Sequence, residues 1–142
     1  MRETIYFVVK NYNEIPEIIE MQLDDNQEKR ESQLISTDMK MKKNVENYGV
    51  GRHKITNHYG NEIYLMCADD FFEIEDKPNF ILSTGMDLNQ TVYGNAYLTK
   101  RRNVGEWGIV GVGMTEDEAE EVINAFELNE DGEYVFKTYL IW

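Results

Sequence analysis

Apolar and polar positions change period several times along the chain, and each change marks an element. Thr4–Lys10 is β-branched and aromatic without a helical stripe, which predicts a strand. Glu14–Leu23 fits two periods. Ile15, Ile18 and Ile19 suit a helix; Ile19, Met21 and Leu23 suit a strand; Pro16 can open either, and the strand is preferred. Asp25-Asn26-Gln27-Glu28 has the form of a capping box, with Asp25 as N-cap and Glu28 reaching back, so a polar helix is predicted through about Leu34. Met41, Val45 and Tyr48 give a second, weaker helical stripe.

In the middle of the chain, Arg52–Asn57, a turn at His58-Tyr59-Gly60-Asn61 and Glu62–Ala68 predict a β-hairpin. Phe71–Glu75 and Phe80–Ser83 flank Asp76-Lys77-Pro78-Asn79, which reads as a type I turn. Thr91–Thr99 and Trp107–Val112 bracket a basic tip, Lys100 to Gly105, and predict a second hairpin. A helix follows. Thr115-Glu116-Asp117-Glu118 is a capping box, Met114 can staple onto Ala119, and three acids complement the positive helix end. Ala119, Val122, Ile123 and Phe126 form its apolar face. Asn129-Glu130-Asp131-Gly132 breaks it, and Tyr134–Trp142 predicts a final strand. The expected class is α+β: one domain over residues 1–142, with an antiparallel sheet of about five to seven strands and two or three helices.

Charge changes this picture most. The formal net charge is −13, and residues 111–142 carry nine acids against one base, Lys137. Such a surface repels nucleic acid and membranes and attracts basic partners. The longest apolar runs, Ile5–Val9 and Tyr139–Trp142, are too short to span a bilayer, and the first residues show no signal-peptide pattern. The single cysteine, Cys67, excludes an internal disulfide and suits a reducing compartment, so a cytoplasmic protein is expected.

Four groups of residues invite a chemical reading. On the acidic helix and the turn after it, Asp117, Glu120, Glu121, Glu127, Glu130 and Asp131 are candidate partner-binding residues, because a row of carboxylates can imitate a phosphate strand. The alternative is a solvated face that confers solubility. Lys100, Arg101, Arg102 and Trp107 are the candidate ligand-binding residues of a second reading, a nucleotide-like anion held near flexible glycines. The competing account is a charged hairpin tip that discourages edge aggregation. Neither GxGxxG nor GxxxxGK[ST] is present. His53, His58 and Cys67 are too few for a zinc site without a carboxylate, and Cys67 reads as an inert core thiol. Tyr93, Tyr97 and Trp107 can stack on a partner or form ordinary cross-strand pairs.

Val92-Tyr93-Gly94-Asn95-Ala96-Tyr97-Leu98-Thr99, then Met114 to Val122, resembles the end of a domain family of bacteriophages and plasmids to which no activity is assigned. In that family a Y-G-x-A/V strand precedes a Gly-rich strand and a [LM]-T-x-E-E/Q helix; Lys77-Pro78-Asn79 is similar to a Pro-Asn turn in the same proteins. The resemblance covers the C-terminal half. It implies a mobile-element origin and carries no binding residues.

The expectation is a non-enzymatic, acidic anti-defence protein. Its partner would be a host nucleic-acid-handling protein with a basic groove, such as a CRISPR effector or restriction enzyme. No cofactor, metal, membrane or direct nucleic-acid contact is expected, and a homodimer is compatible with the sequence. The alternative is a protein that binds or sequesters a nucleotide-like small molecule.

Overall fold

The computed structural model describes residues 2–45, 50–56, 62–68, 77–83, 89–103, 106, 108–137 and 139–140. Strand β1 (Glu3–Lys10) is apolar at every position from Ile5 to Val9 because both of its faces are covered. Ile5, Phe7 and Val9 point to one side, where Leu23, Met66 and Tyr97 join Leu34 and Met41 of helix α1 (Gln27–Lys42). Val8 points to the other, into a second cluster with Ile63, Leu65, Cys67 and Leu98. Full burial of such side chains contributes about 1.5–3 kcal/mol each.

The central layer is a six-stranded antiparallel sheet in the order β12-β3-β4-β7-β1-β2. Its other members are β2 (Glu17–Leu23), β3 (Val50–Thr56), β4 (Glu62–Ala68), β7 (Ala96–Thr99) and β12 (Tyr139–Leu140). Against one face lies a four-stranded mixed sheet, β10-β11-β5-β6, made of β5 (Pro78–Ser83), β6 (Asn89–Tyr93), β10 (Phe126–Leu128) and β11 (Tyr134–Lys137). Its β11 and β5 run parallel. Helix α2 (Glu116–Asn124) shares that layer, burying Ala119 and Val122 among Phe80, Phe126 and Phe136. The opposite face carries α1 and a small hairpin of β8 (Arg101–Asn103) and β9 (Ile109–Gly111). The class is α+β, as expected. Among the described residues no helix is long and apolar enough to cross a membrane.

Several predicted boundaries move, each for a physical reason. Glu17–Leu23 is a strand, as preferred. The cap of α1 is Asn26, whose side chain accepts from Lys29 N at 3.1 Å, and not Asp25. With Asn26 as cap, the third helical residue is Lys29, so Glu28 cannot close a capping box. The helix continues past Leu34 to Lys42 because Leu34, Thr37, Asp38 and Met41 make one buried stripe, half of it polar. Tyr48 and Phe71–Glu75 lie outside the described residues. Pro78 and Asn79 belong to β5 and do not form a turn.

Thr91–Thr99 is two strands in two sheets, not one, broken at Gly94, whose φ of 71° is in the left-handed region. The final stretch divides likewise: β11 joins the mixed sheet and β12 the central one. The basic hairpin has shorter arms than predicted, and Arg101 and Arg102 lie in strand β8 and not at the tip. The capping box of α2 forms as predicted, with Thr115 N donating to Glu118 Oε1 at 3.0 Å and Glu118 N to Thr115 Oγ1 at 3.2 Å. The helix ends at Asn124, so Phe126 starts β10 and does not extend the helical face. Its ring packs edge-on against Phe80 at 5.1 Å and tilted against Phe136 at 4.8 Å.

Gly113 leads into Met114, which exchanges two backbone hydrogen bonds with Tyr6, at 2.9 and 2.8 Å. Its φ is 77°, and an added Cβ would lie 2.6 Å from Ile5 Cβ. Gly132 has almost the same φ, 78°, with nothing within 4 Å. Gly132→Ala should therefore cost only the left-handed strain, about 1–2 kcal/mol. Gly113→Ala adds an overpacking cost of about 1–3 kcal/mol. Urea denaturation of the two variants measures the difference; equal losses would show that Ile5 yields freely.

Candidate functional site

The acidic face begins where α2 meets the sheet. Tyr6 Oη donates to Glu116 Oε2 at 3.1 Å, and the neighbour of Tyr6 across the strands is Glu20 of β2. Burial, then the Glu116 hydrogen bond, and then the charges of Glu116 and Glu20 raise the Tyr6 phenol above its ordinary value. Two carboxylates from distant parts of the sequence thus flank one tyrosine. Farther along α2, Asp117 and Glu120 are exposed and make no ion pair among the described residues, while Glu121 is half-buried with an interaction of its own. Glu118 is turned inward: burial pushes its carboxyl up, but the Thr115 N–H and Lys100 outweigh it and hold it below the usual value.

The other candidate acids sit at the β10–β11 end. Glu127 pairs with Lys137 at 2.9 Å, both side chains being exposed. Glu130 and Asp131 are exposed in a turn that Asn129 organises, its Oδ1 accepting from Asp131 N at 3.0 Å and Glu133 N at 2.9 Å. The structure therefore does not gather all six predicted acids in one row. It adds Glu20, which sequence reasoning missed because its place beside α2 depends on the β1–β2 register.

Of the basic cluster, Arg101 turns inward and Lys100 is paired at the surface. Lys100 Nζ lies 3.0 Å from Glu118 Oε2. The Arg101 side chain is 3% exposed; Nη1 is 2.8 Å from Asp38 Oδ1 and Nη2 donates to the Ile109 carbonyl at 2.8 Å. Asp38 also meets Lys42 at 3.2 Å and accepts from Tyr97 Oη at 3.5 Å. Arg102 is exposed, and Trp107 lies outside the described residues. Tyr97 is wholly buried and Tyr93 half-buried. His53 is in register with Leu65, His58 lies outside the described residues, and Cys67 is buried in the core. Among the described residues no group of three His, Cys, Asp or Glu could hold a metal ion.

A cleft of about 340 Å³ opens between the β1–β2 turn and the mixed sheet. Lys10 lines it at 1% exposure, on the same face of β1 as Val8. Its Nζ donates to Asn79 Oδ1 at 2.7 Å and to the Asn11 carbonyl at 2.9 Å, and stands 5.1 Å from the centre of the Tyr134 ring. Asn79 Nδ2 donates to the carbonyls of Lys10 and Gly94, both at 2.7 Å. Burial lowers the Lys10 ammonium to about 8, with Glu14 opposing. A lysine two places after a core valine is the one sequence signal for this site.

Compared with models of known protein families, with curated proteins and with solved structures, the chain gives no match.

Two outcomes follow from these buried cations. Arg101→Gln should destabilise by about 1–3 kcal/mol, because Asp38 keeps Lys42 but loses its shorter ion pair and the Ile109 carbonyl loses its donor. Arg102→Gln should stay within about 0.5 kcal/mol. Chemical denaturation of both variants tests the contrast, and comparable losses would refute it. Lys10 has a pH signature. Between about 8 and its ordinary value of 10.5 the unfolded chain binds more protons than the native one, so its contribution to stability rises with pH. Stability of the native protein relative to Lys10→Met should increase through that window in urea titrations. A difference that is flat or falling would show that Lys10 keeps an ordinary pKa.

Proposed function

We propose that this chain is a non-enzymatic binding protein that presents carboxylates to a basic protein surface. In the fuller form of the reading it is an anti-defence inhibitor carried by a phage or mobile element. It acts in the host cytoplasm on the nucleic-acid groove of a nuclease, such as a CRISPR effector or restriction enzyme. One observation carries the reading: among the described residues Asp117, Glu120, Glu130 and Asp131 are exposed without ion pairs, while Lys100 and Arg101 are spent on Glu118 and Asp38. Lys100 and Arg101 are thereby paired with other carboxylates and do not neutralise these four acids. Glu116 and Glu120, one turn apart, stand about 6 Å from each other along the helix axis, a row of charges spaced by a few ångströms as in a nucleic-acid strand. The resemblance of the C-terminal half to a phage and plasmid domain family supports the mobile-element origin.

A second reading, a small-molecule binder, is favoured by the Lys10 cleft, whose volume suits a small ligand. The cleft replaces Lys100, Arg101 and Arg102 as the place for it. Thermal-shift screening separates the two readings, because a ligand at 100 times its Kd adds about 2.7 kcal/mol.

The first reading predicts the behaviour of a quadruple variant, Asp117→Asn with Glu120→Gln, Glu121→Gln and Glu127→Gln. Its fold should survive, since like-charge repulsion along α2 is relieved. Its association rate with a purified basic nuclease should fall about tenfold or more at low salt and converge with the parent at high salt. Phe126→Ala is the stability control and should cost about 3–5 kcal/mol. An unchanged association rate at low salt would reduce the acidic face to a solubilising surface.

A further inference from the structure

We propose that the outer edge of β2 takes up an extended segment of a partner protein in which two apolar residues lie between basic ones. The inference rests on the acidic-face reading and names the element of the partner that the face would seat. Among the described residues β2 ends the central sheet, with β1 beside it on one side only. Four consecutive residues, Glu17, Ile18, Ile19 and Glu20, are exposed, the isoleucines at 37% and 38%. A terminal strand offers unpaired N–H and C=O groups to any extended chain, and proteins usually blunt it with charged side chains, proline or a bulge. β2 has neither proline nor bulge, since its register with β1 runs unbroken from Glu3 opposite Leu23 to Val9 opposite Glu17 and Pro16 precedes it; its charges are the acids Glu17 and Glu20, which repel an acidic strand and admit a basic one.

The side chains say what kind of strand would fit. Ile18 sits beside Val8 and Ile19 beside Phe7, so each lies at the margin of a different core cluster. An added strand with two adjacent apolar residues would extend both cores at once. On the α1 side, a cleft of about 260 Å³ bordered by Met21, Gln33 and Thr37 leaves room for a side chain. Glu17 and Glu20 flank the isoleucines, and Glu20 shares its Tyr6 neighbour with Glu116. The complement is therefore basic-apolar-apolar-basic. A second copy of β2 is a poor occupant: pairing Ile18 with Ile19 of the copy sets Glu17 against Glu20 twice, and like charges directly opposite destabilise a sheet. Main-chain bonds would supply affinity and the charge pairs specificity, as in other strand-addition complexes.

The test uses the whole chain with a short synthetic peptide carrying Lys-Val-Val-Lys at its centre, and a control carrying Glu-Val-Val-Glu. The basic peptide should bind and slow amide exchange at Glu17–Leu23 at least tenfold, with affinity falling at least tenfold between low and high salt. The acidic control should not bind. Ile18→Lys with Ile19→Lys should abolish protection of β2 without loss of fold, since both side chains are already over a third exposed. Binding that perturbs α2 while β2 amides exchange unchanged would overturn the edge and leave the acidic-face reading standing. No binding of the basic peptide, equal binding of the control, or a dimer of the peptide-free protein in sedimentation would each overturn the edge as well. The quadruple α2 variant, which retains Glu17 and Glu20, should still show β2 protection, so its failure against a nuclease would count only against α2.

Discussion

Coverage of the central sheet on both faces is the constraint from which the rest of the architecture follows. Because β1, β4 and β7 each feed two clusters, the chain must keep leaving the sheet to build the layers above and below it. Those departures expose backbone and bury polar groups, and polar clamps hold them. Asn79 joins the end of β1 to the Gly94 bend with both of its amide hydrogens, while its oxygen takes the Lys10 ammonium. On the opposite side, Asp38 of α1 holds Arg101 of β8 and fixes the small hairpin against the helix. Buried polar clamps of this kind specify one arrangement more than they add net stability, and Arg101 Nε, buried without a hydrogen-bond partner among the described residues, is the polar group they leave unmatched.

The parts of the fold written in local chemistry were legible. Thr115 to Glu118 spells its own cap, β1 and the β3–β4 pair carry strand composition, and Asn129 to Gly132 makes the turn that its residue types demand. What could not be read depends on distant partners. The stripe of α1 contains Thr37 and Asp38, and an acid at a buried position makes sense only once Arg101 is known to meet it. Thr91–Thr99 has continuous strand character, but its two halves serve different sheets because Gly94 turns the chain. The site followed the same rule. Exposure of Asp117 and Glu120 follows from helical spacing, whereas the approach of Glu20 to Glu116 and the burial of Lys10 depend on strand register and on sheet-to-sheet packing.

Charge is sorted by depth as well as by sign. Lys10 and Arg101 are drawn into the interior, where carbonyls, a carboxylate and an aromatic face replace water. Several of the carboxylates remain outside. Arg101 takes Asp38 inward with it, so Lys10 is the cation whose burial leaves the outward field more negative, and the reach of that field is set by ionic strength.

The burial of Cys67 also has a kinetic meaning. It is the chain's one thiol, it lies in β4 within the cluster shared by both sheets and α2, and none of its surface meets solvent. A thiol reagent can reach it only when that cluster opens, so its modification rate counts openings of the core around β4. The molecule thus carries a built-in stopwatch for the opening of its core, readable without any label being engineered into it.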